Sequence, residues 1–151
     1  MIEWEEEIMI ERPIEHVWRL FLDENIKRIM PKVEEHTLID KKENEVGAKH
    51  KQTYREGKHV ETYAVHTTAY EDLEDKKRKQ IKFVIGKAFE VTATFTLNKI
   101  GENQTKLIYE GQNKGINIVG KAMLLLANKK GNSKVALEFV ERVKHEALKL
   151  S

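Results

Sequence analysis

The stretch Ile81-Lys82-Phe83-Val84-Ile85-Gly86-Lys87-Ala88-Phe89-Glu90-Val91-Thr92-Ala93-Thr94-Phe95-Thr96-Leu97 decides the architecture. On each side of Gly86 an apolar residue recurs at every second position, the period of a β-strand with one covered face. The length of the loop around Gly86 sets which side chains become neighbours. A two-residue loop places Phe83 beside Glu90, whereas a three-residue loop, Gly86-Lys87-Ala88, places Phe83 beside Val91 and Ile81 beside Ala93. The hydrophobic pattern selects three. Ile81, Phe83, Ile85, Phe89, Val91, Ala93, Phe95 and Leu97 then make one continuous apolar face, with Thr92, Thr94 and Thr96 turned to water. Such a face requires a cover.

The end of the chain supplies it. Ala136, Phe139, Val140, Val143, Ala147 and Leu150 gather on one side of a helix, with Glu138, Glu141, Arg142, Lys144 and Lys149 on the other. Within Lys129-Lys130-Gly131-Asn132-Ser133, Gly131 has the chemistry to end one helix and Asn132 or Ser133 to cap the next, so a break is expected there. Upstream, the run from Ile116 to Ala127 is interrupted by Lys121 and falls short of the ~20 apolar residues that a membrane-spanning helix needs, so it reads as core.

Working back to the start, Ile2, Trp4, Ile8 and Ile10 share one parity and Glu3, Glu5, Glu7 and Glu11 the other, which describes a half-buried strand. Pro13 opens a helix whose Ile14, Val17, Trp18, Phe21 and Leu22 fall on one stripe. Asp23 is placed to cap a second short helix, Glu24 to Met30, with Ile26, Ile29 and Met30 inward, and Pro31 stops it. Period-two signals then run from Val33 to Leu97, broken near Lys42–Val46, Glu56-Gly57, a charged loop at 71–79, and Gly86-Lys87. A last strand, Thr105 to Asn113, follows the polar turn 101–104. Six strands thus follow the helix pair.

A chain of 151 residues with no internal repeat or linker is read as one domain, residues 1–151. Its 27 basic and 25 acidic residues leave a formal charge of +2, too little for the positive field that a nucleic-acid backbone demands. The basic run Lys76-Lys77-Arg78-Lys79 follows Glu71-Asp72-Leu73-Glu74-Asp75, which cancels much of its field, and is read as solvated. Without cysteine there is no disulfide framework, thiolate nucleophile or cysteine-ligated zinc, and a reducing cytoplasm suits the chain. No export signal is visible in the acidic first residues. There is no phosphate-binding glycine loop, GxGxxG, GxSxG or HExxH motif. No cofactor and no metal are expected.

Strand, helix pair, six strands and a long terminal helix is an order that resembles the START-like helix-grip superfamily (SRPBCC) of polyketide cyclase/dehydrase and lipid-transport-like proteins, across essentially the whole chain. The local likenesses are Pro13-Ile14-Glu15-His16-Val17-Trp18-Arg19-Leu20-Phe21, Pro31 with Val33, and Val46-Gly47 ahead of Gln52-Thr53-Tyr54-Arg55-Glu56-Gly57-Lys58. Small bacterial members often carry a tryptophan two residues before the proline; here that position is Ile29. The resemblance implies an α+β helix-grip fold, a curved antiparallel seven-stranded sheet with two short helices after the first strand and a long C-terminal helix over the concave face. It also implies a cavity between sheet and helix, used in the family for lipids, quinones, polyketides or hormones, and in some members for catalysis.

Which polar residues reach that cavity depends on one hairpin. Lys49, Lys51 and Arg55 share a parity and are expected outside, which turns Ala48, His50, Gln52 and Tyr54 inward. If Glu56-Gly57 is a two-residue loop, Tyr54 lies opposite His59, Gln52 opposite Glu61 and His50 opposite Tyr63, all on the concave face. If the loop is one residue longer, Val60, Thr62, Ala64 and His66 turn inward instead. In the first register His50, His59 and Glu61 have residue types suited to proton transfer or a metal, though no ligand spacing supports it. The expected ligand-binding residues are His50, Gln52, Tyr54, Tyr63, Phe83, Val91, Phe95, Tyr109, Met123 and Leu126; tyrosines offer a hydroxyl beside an apolar ring, and adaptable Met123 suits an irregular guest.

The expected function is binding of a hydrophobic or amphipathic small molecule (lipid-like, quinone-like or polyketide-like) without catalysis. The alternatives are a cyclase or dehydratase that uses cavity His or Tyr residues, and a protein-interaction module resembling chaperone-activator domains, for which a filled interior is expected. Neither nucleic acid nor an integral membrane segment is expected as part of the function.

Overall fold

The Gly86 turn takes the three-residue form: Ile85 pairs with Phe89, Phe83 with Val91 and Ile81 with Ala93. Gly86 and Lys87 both adopt positive φ there, +57° and +55°. The computed structural model describes residues 1–40, 45–126 and 129–150. Strand β1 (Ile2–Ile10) leads into α1 (Ile14–Trp18), two 3-10 turns (Arg19–Phe21 and Asp23–Asn25) and α2 (Ile26–Ile29). Then come β2 (Val33–Asp40), β3 (Lys49–Glu56), β4 (His59–Asp72), β5 (Lys76–Ile85), β6 (Phe89–Gly101), β7 (Gln104–Gly115), α3 (Ile118–Leu126) and α4 (Lys129–Lys149). The strands form one antiparallel sheet in the order β1-β7-β6-β5-β4-β3-β2. This is a helix-grip α+β fold.

The cover is α4, whose Ala136, Phe139, Val140, Val143 and Ala147 are buried. It lies mainly along β1, with further contacts to β7 and α2. Its C-terminal end is gripped by the segment after β1 and by the first helices: Arg12 donates to Leu148 O (3.1 Å), His16 Nε2 meets Leu150 O (2.8 Å), and Arg28 pairs with Glu146 (3.2 Å). Cations are favourable at this negative end of a helix dipole.

Several expectations are corrected. The first helix tightens into a 3-10 turn at Arg19–Phe21, so Leu20 becomes fully buried and Leu22 is left 37% exposed. Asp23 makes no cap hydrogen bond; its carboxylate is used elsewhere. The 71–79 segment is mostly strand, since β4 reaches Asp72 and β5 starts at Lys76. Lys77 is accordingly an inward residue, 2% exposed, held by Asp72, by Glu15 at 2.8 Å and by Leu73 O at 3.1 Å. Local ion pairing lets a lysine occupy a core-side strand position that periodicity alone would give to an apolar residue.

Thr94 and Thr96, expected to face water, are 7% and 8% exposed. Gln80 stands opposite Thr94 and donates to its Oγ1 at 2.9 Å, and Arg78 stands opposite Thr96, so long side chains roof the outer face. Gly131 lies inside α4 instead of ending a helix; Ala127 and Asn128, between α3 and α4, lie outside the described residues, as do residues 42–44 of the break expected at Lys42–Val46.

The apolar helix α3 is not core. Ile118, Val119, Leu125 and Leu126 are 86%, 63%, 87% and 89% exposed, and the helix docks through buried Gly120. A Cβ at Gly120 would stand 2.1 Å from Ala88 O, so the helix backbone itself lies against the β5–β6 turn and its larger side chains point away. Among the described residues no helix is long and apolar enough to cross a membrane.

Candidate functional site

The β3–β4 hairpin turns one residue later than expected, at Gly57-Lys58, with Gly57 supplying the positive φ (+61°) that the first position of a tight two-residue loop favours. Tyr54 therefore pairs with Glu61, Gln52 with Tyr63 and His50 with Val65. This register differs by two residues from the short-loop expectation, and a shift of two leaves every side chain on the same face. The face assignment thus matches the short loop, while the facing pairs change.

Between this hairpin, β5–β7, α2 and α4 lies a cavity of about 290 Å³. Its walls are Ile81, Phe83, Val91, Ala93, Phe95, Tyr109 and Phe139; Gln52, Tyr54 and Tyr63 add polar groups; Lys32, Glu138 and Arg142 also line it. Phe95 stacks on Tyr109 (centroids 5.3 Å, planes 3° apart), Tyr109 tilts against Phe139 (4.5 Å), and Tyr63 stacks on Phe83 (5.1 Å). Two packed aromatic groups thus contribute to the wall. A wider depression of about 590 Å³ on the outer sheet face is lined mainly by Glu3, Glu5, Gln80, Thr92, Thr94, Glu110 and Gln112, and lacks an enclosed apolar surface.

Seven of the expected residues, Gln52, Tyr54, Tyr63, Phe83, Val91, Phe95 and Tyr109, line the cavity. His50 is buried (4% exposed) just beyond it, lining a narrow gap that shares Gln52, Ile81 and Phe95 with the cavity wall. Met123 and Leu126 do not line it: on outward-facing α3 they are 53% and 89% exposed. Arg142, expected on the solvent side of α4, is a lining residue that also reaches Ile29 O at 3.5 Å. The suggested trio of His50, His59 and Glu61 is not assembled. His59 is at the solvated strand end, its side chain 69% exposed and 3.4 Å from Glu61, and Glu61 accepts from Gly86 N at 2.7 Å.

His50 instead joins residues that sequence reasoning missed. Its Nε2 donates to Asp23 Oδ2 at 2.8 Å, and its ring stacks on His36 (centroids 4.4 Å, planes 18° apart). His36 Nδ1 meets Gln52 Oε1 at 2.8 Å, and Gln52 Nε2 donates to Tyr63 OH at 2.8 Å, so a hydrogen-bonded chain runs from the cavity wall to this cluster. The imidazoles of His36 and His50 hold the Asp23 carboxyl far below the usual carboxylate range, against the opposing effect of partial burial. Lys79 lines the same region, and burial pushes its pKa down despite the attraction of Asp23 and Glu45. Burial pushes Tyr63 up, and pushes Tyr109 up to about 12. Period-two counting from buried Val33 gives His36 the opposite face, and only the register shift between Val33 and Glu35 brings it beside Gln52; the signal for Asp23 pointed to a cap.

A sequence profile of the polyketide cyclase / dehydrase and lipid transport family matches residues 1–147. The chain belongs to this family. No curated protein sequence matches this family member. Among solved structures, a START superfamily protein from Mycobacterium smegmatis is similar over 100% of both chains, with 10% identity and a TM-score of 0.77. Norcoclaurine synthase from Thalictrum flavum, in complex with dopamine and hydroxybenzaldehyde, covers 97% of this polyketide cyclase / lipid transport family chain and 86% of its own, at 13% identity and TM-score 0.65. A conserved protein from Geobacillus kaustophilus covers 98% and 96%, at 17% identity and TM-score 0.65. At these identities the likeness is one of fold.

Proposed function

We propose that the chain binds a hydrophobic or amphipathic small molecule in the cavity between sheet and α4, without transforming it. The carrying observation is the cavity of about 290 Å³ itself, walled by aromatic and aliphatic side chains with a few convergent polar groups. That composition and size match the small end of ligand pockets. Membership of a family described by polyketide cyclisation and lipid transport supports a guest of this class. An interaction module would be expected to have a filled interior, which this cavity argues against.

At about 25 cal/mol per Å² of apolar surface removed from water, a guest burying a few hundred Å² gains several kcal/mol before the costs of association. Gln52, Tyr54, Tyr63 and Arg142 would mainly fix its orientation. Organic extraction of purified protein followed by mass spectrometry tests this reading: a specific apolar molecule should co-purify, or an apolar fluorophore should bind once per chain and be displaced by amphipathic competitors. Empty protein that binds no such probe would overturn it.

The cyclase or dehydratase reading is favoured by one observation, the hydrogen-bonded chain Tyr63–Gln52–His36 that joins the cavity to a histidine–carboxylate cluster. Substrate screening followed by His36→Gln and His50→Gln tests it. Turnover that persists in both folded variants would exclude these histidines.

A further inference from the structure

We propose that Asp23, His36 and His50 form a binding site for a divalent transition-metal ion of the zinc class, with Gln52 as the outer partner that orients His36. The three ligand-bearing atoms lie within 4.8 Å of one another, although the residues come from a 3-10 turn, β2 and β3. Two imidazoles and a carboxylate suit zinc, cobalt or iron(II), and not calcium or magnesium, which prefer an all-oxygen shell. The sequence held no ligand spacing because the fold alone brings these positions together.

A second observation points to a cation as the partner of His36. The His36 side chain is only 6% exposed and its Nε2 lies 3.3 Å from Asp23 Oδ1, yet this nitrogen makes no hydrogen bond. His36 Nδ1 faces Gln52 Oε1 at 2.8 Å, and with Oε1 as the acceptor the neutral ring carries its proton on Nδ1. In that tautomer Nε2 presents a lone pair towards the partly exposed Asp23 carboxylate. A cation between them takes both lone pairs as coordinate bonds. The hydrogen bond from an outer partner to the far nitrogen is what metal-binding histidines characteristically make.

Loading has two consequences. The proton that His50 Nε2 now donates to Asp23 Oδ2 must leave that nitrogen as it becomes a ligand, passing to Nδ1 in the neutral ring. The near-parallel His36 and His50 rings must also splay, since one ion cannot lie in both ring planes. Asp23, with its side chain 45% exposed, can adjust to them. Lys79 lines the adjoining 190 Å³ pocket with Thr67 and Tyr70 and is the charge opposing a cation; its burial already disfavours the ammonium form. With three protein ligands the fourth position falls to water or a guest oxygen, the arrangement of open zinc sites.

The test does not depend on the cavity's guest. Untagged, chelator-stripped protein is titrated with cobalt(II) chloride and followed by visible absorption, then with zinc chloride in competition, with native mass spectrometry giving the stoichiometry. One equivalent should bind, with ligand-field bands that zinc abolishes. His36→Ala, His50→Ala and Asp23→Ala should each weaken binding at least about a hundredfold, and Gln52→Leu by roughly ten- to a hundredfold. His59→Ala and His145→Ala, both at exposed histidines, should leave it unchanged, and circular dichroism should show every variant folded. If a site variant fails to fold, Gln52→Leu and Asp23→Asn carry the test. Absence of binding, or binding unaffected by the site variants, overturns the proposal; in that case His36 Nε2 simply carries a proton towards Asp23.

Discussion

Tyr109 shows at the scale of one residue how burial becomes a pH dependence. Shut among Phe95, Phe139 and Trp4, its phenol is pushed from an ordinary 10.0 up to about 12, chiefly by burial. The neutral form is thus favoured in the fold. Below pH 10 the phenol is neutral in both states and its contribution is fully present; from there to about 12 the unfolded chain ionises while the fold does not, so stability falls as pH rises. Tyr54, Tyr63 and Tyr70 are shifted upward as well, each with burial as the largest cause. At pH 11 the native protein should therefore show less phenolate absorbance than the same chain in denaturant. Tyr109→Phe should reduce the loss of denaturant-measured stability between pH 10 and 11.5; an unchanged slope would mean that this phenol is open to water.

At the scale of an element, three glycines carry opposite expectations. Gly111 of β7 faces Trp4, and a Cβ there would stand 2.2 Å from Cζ2 of the indole and 2.8 Å from Thr92 O, so Gly111→Ala should cost about 1–3 kcal/mol in urea unfolding. Gly120→Ala would meet the backbone carbonyl of Ala88 and should loosen α3, seen as faster hydrogen exchange of its amides. Gly131 has nothing within 4 Å of an added Cβ and lies inside α4, so Gly131→Ala should stabilise by about 1 kcal/mol. Were Gly131 a left-handed helix terminus, as its neighbours suggested, the same change would destabilise. The contrast also shows what periodicity can convey. Ile81-to-Leu97 and Ala136-to-Ala147 state their buried faces directly, because packing of apolar side chains wrote both patterns. In α3 the contact is made by a glycine backbone, so its leucines carry no information about direction. In β5 the inward Lys77 hides the strand, since its partners Glu15 and Asp72 are visible only in three dimensions. Asp23 and His36 escaped for the same reason: their chemistry is with each other and with His50, across three elements.

For the molecule as a whole, the cavity is the feature that sets stability against binding. Ala93 lines it and is itself 4% exposed, so Ala93→Phe should fill about 290 Å³ of space in part, abolish retention of an apolar guest, and leave the unfolding midpoint equal or higher. A lower midpoint with binding intact would place the guest elsewhere. The sheet around the cavity never closes on itself, and its order leaves β1 and β2 as the outermost strands. Such rims are open templates for another chain. Here β1 carries Glu3, Glu5, Glu6 and Glu7, while β2 carries Glu34, Glu35 and Asp40 and is interrupted by two register shifts. Rim-to-rim approach of two copies sets carboxylate against carboxylate, and the irregular strand offers no straight ladder to extend. The same acidic borders that disclose little about the guest therefore work against edge-to-edge growth of an open-sided sheet with a hollow interior.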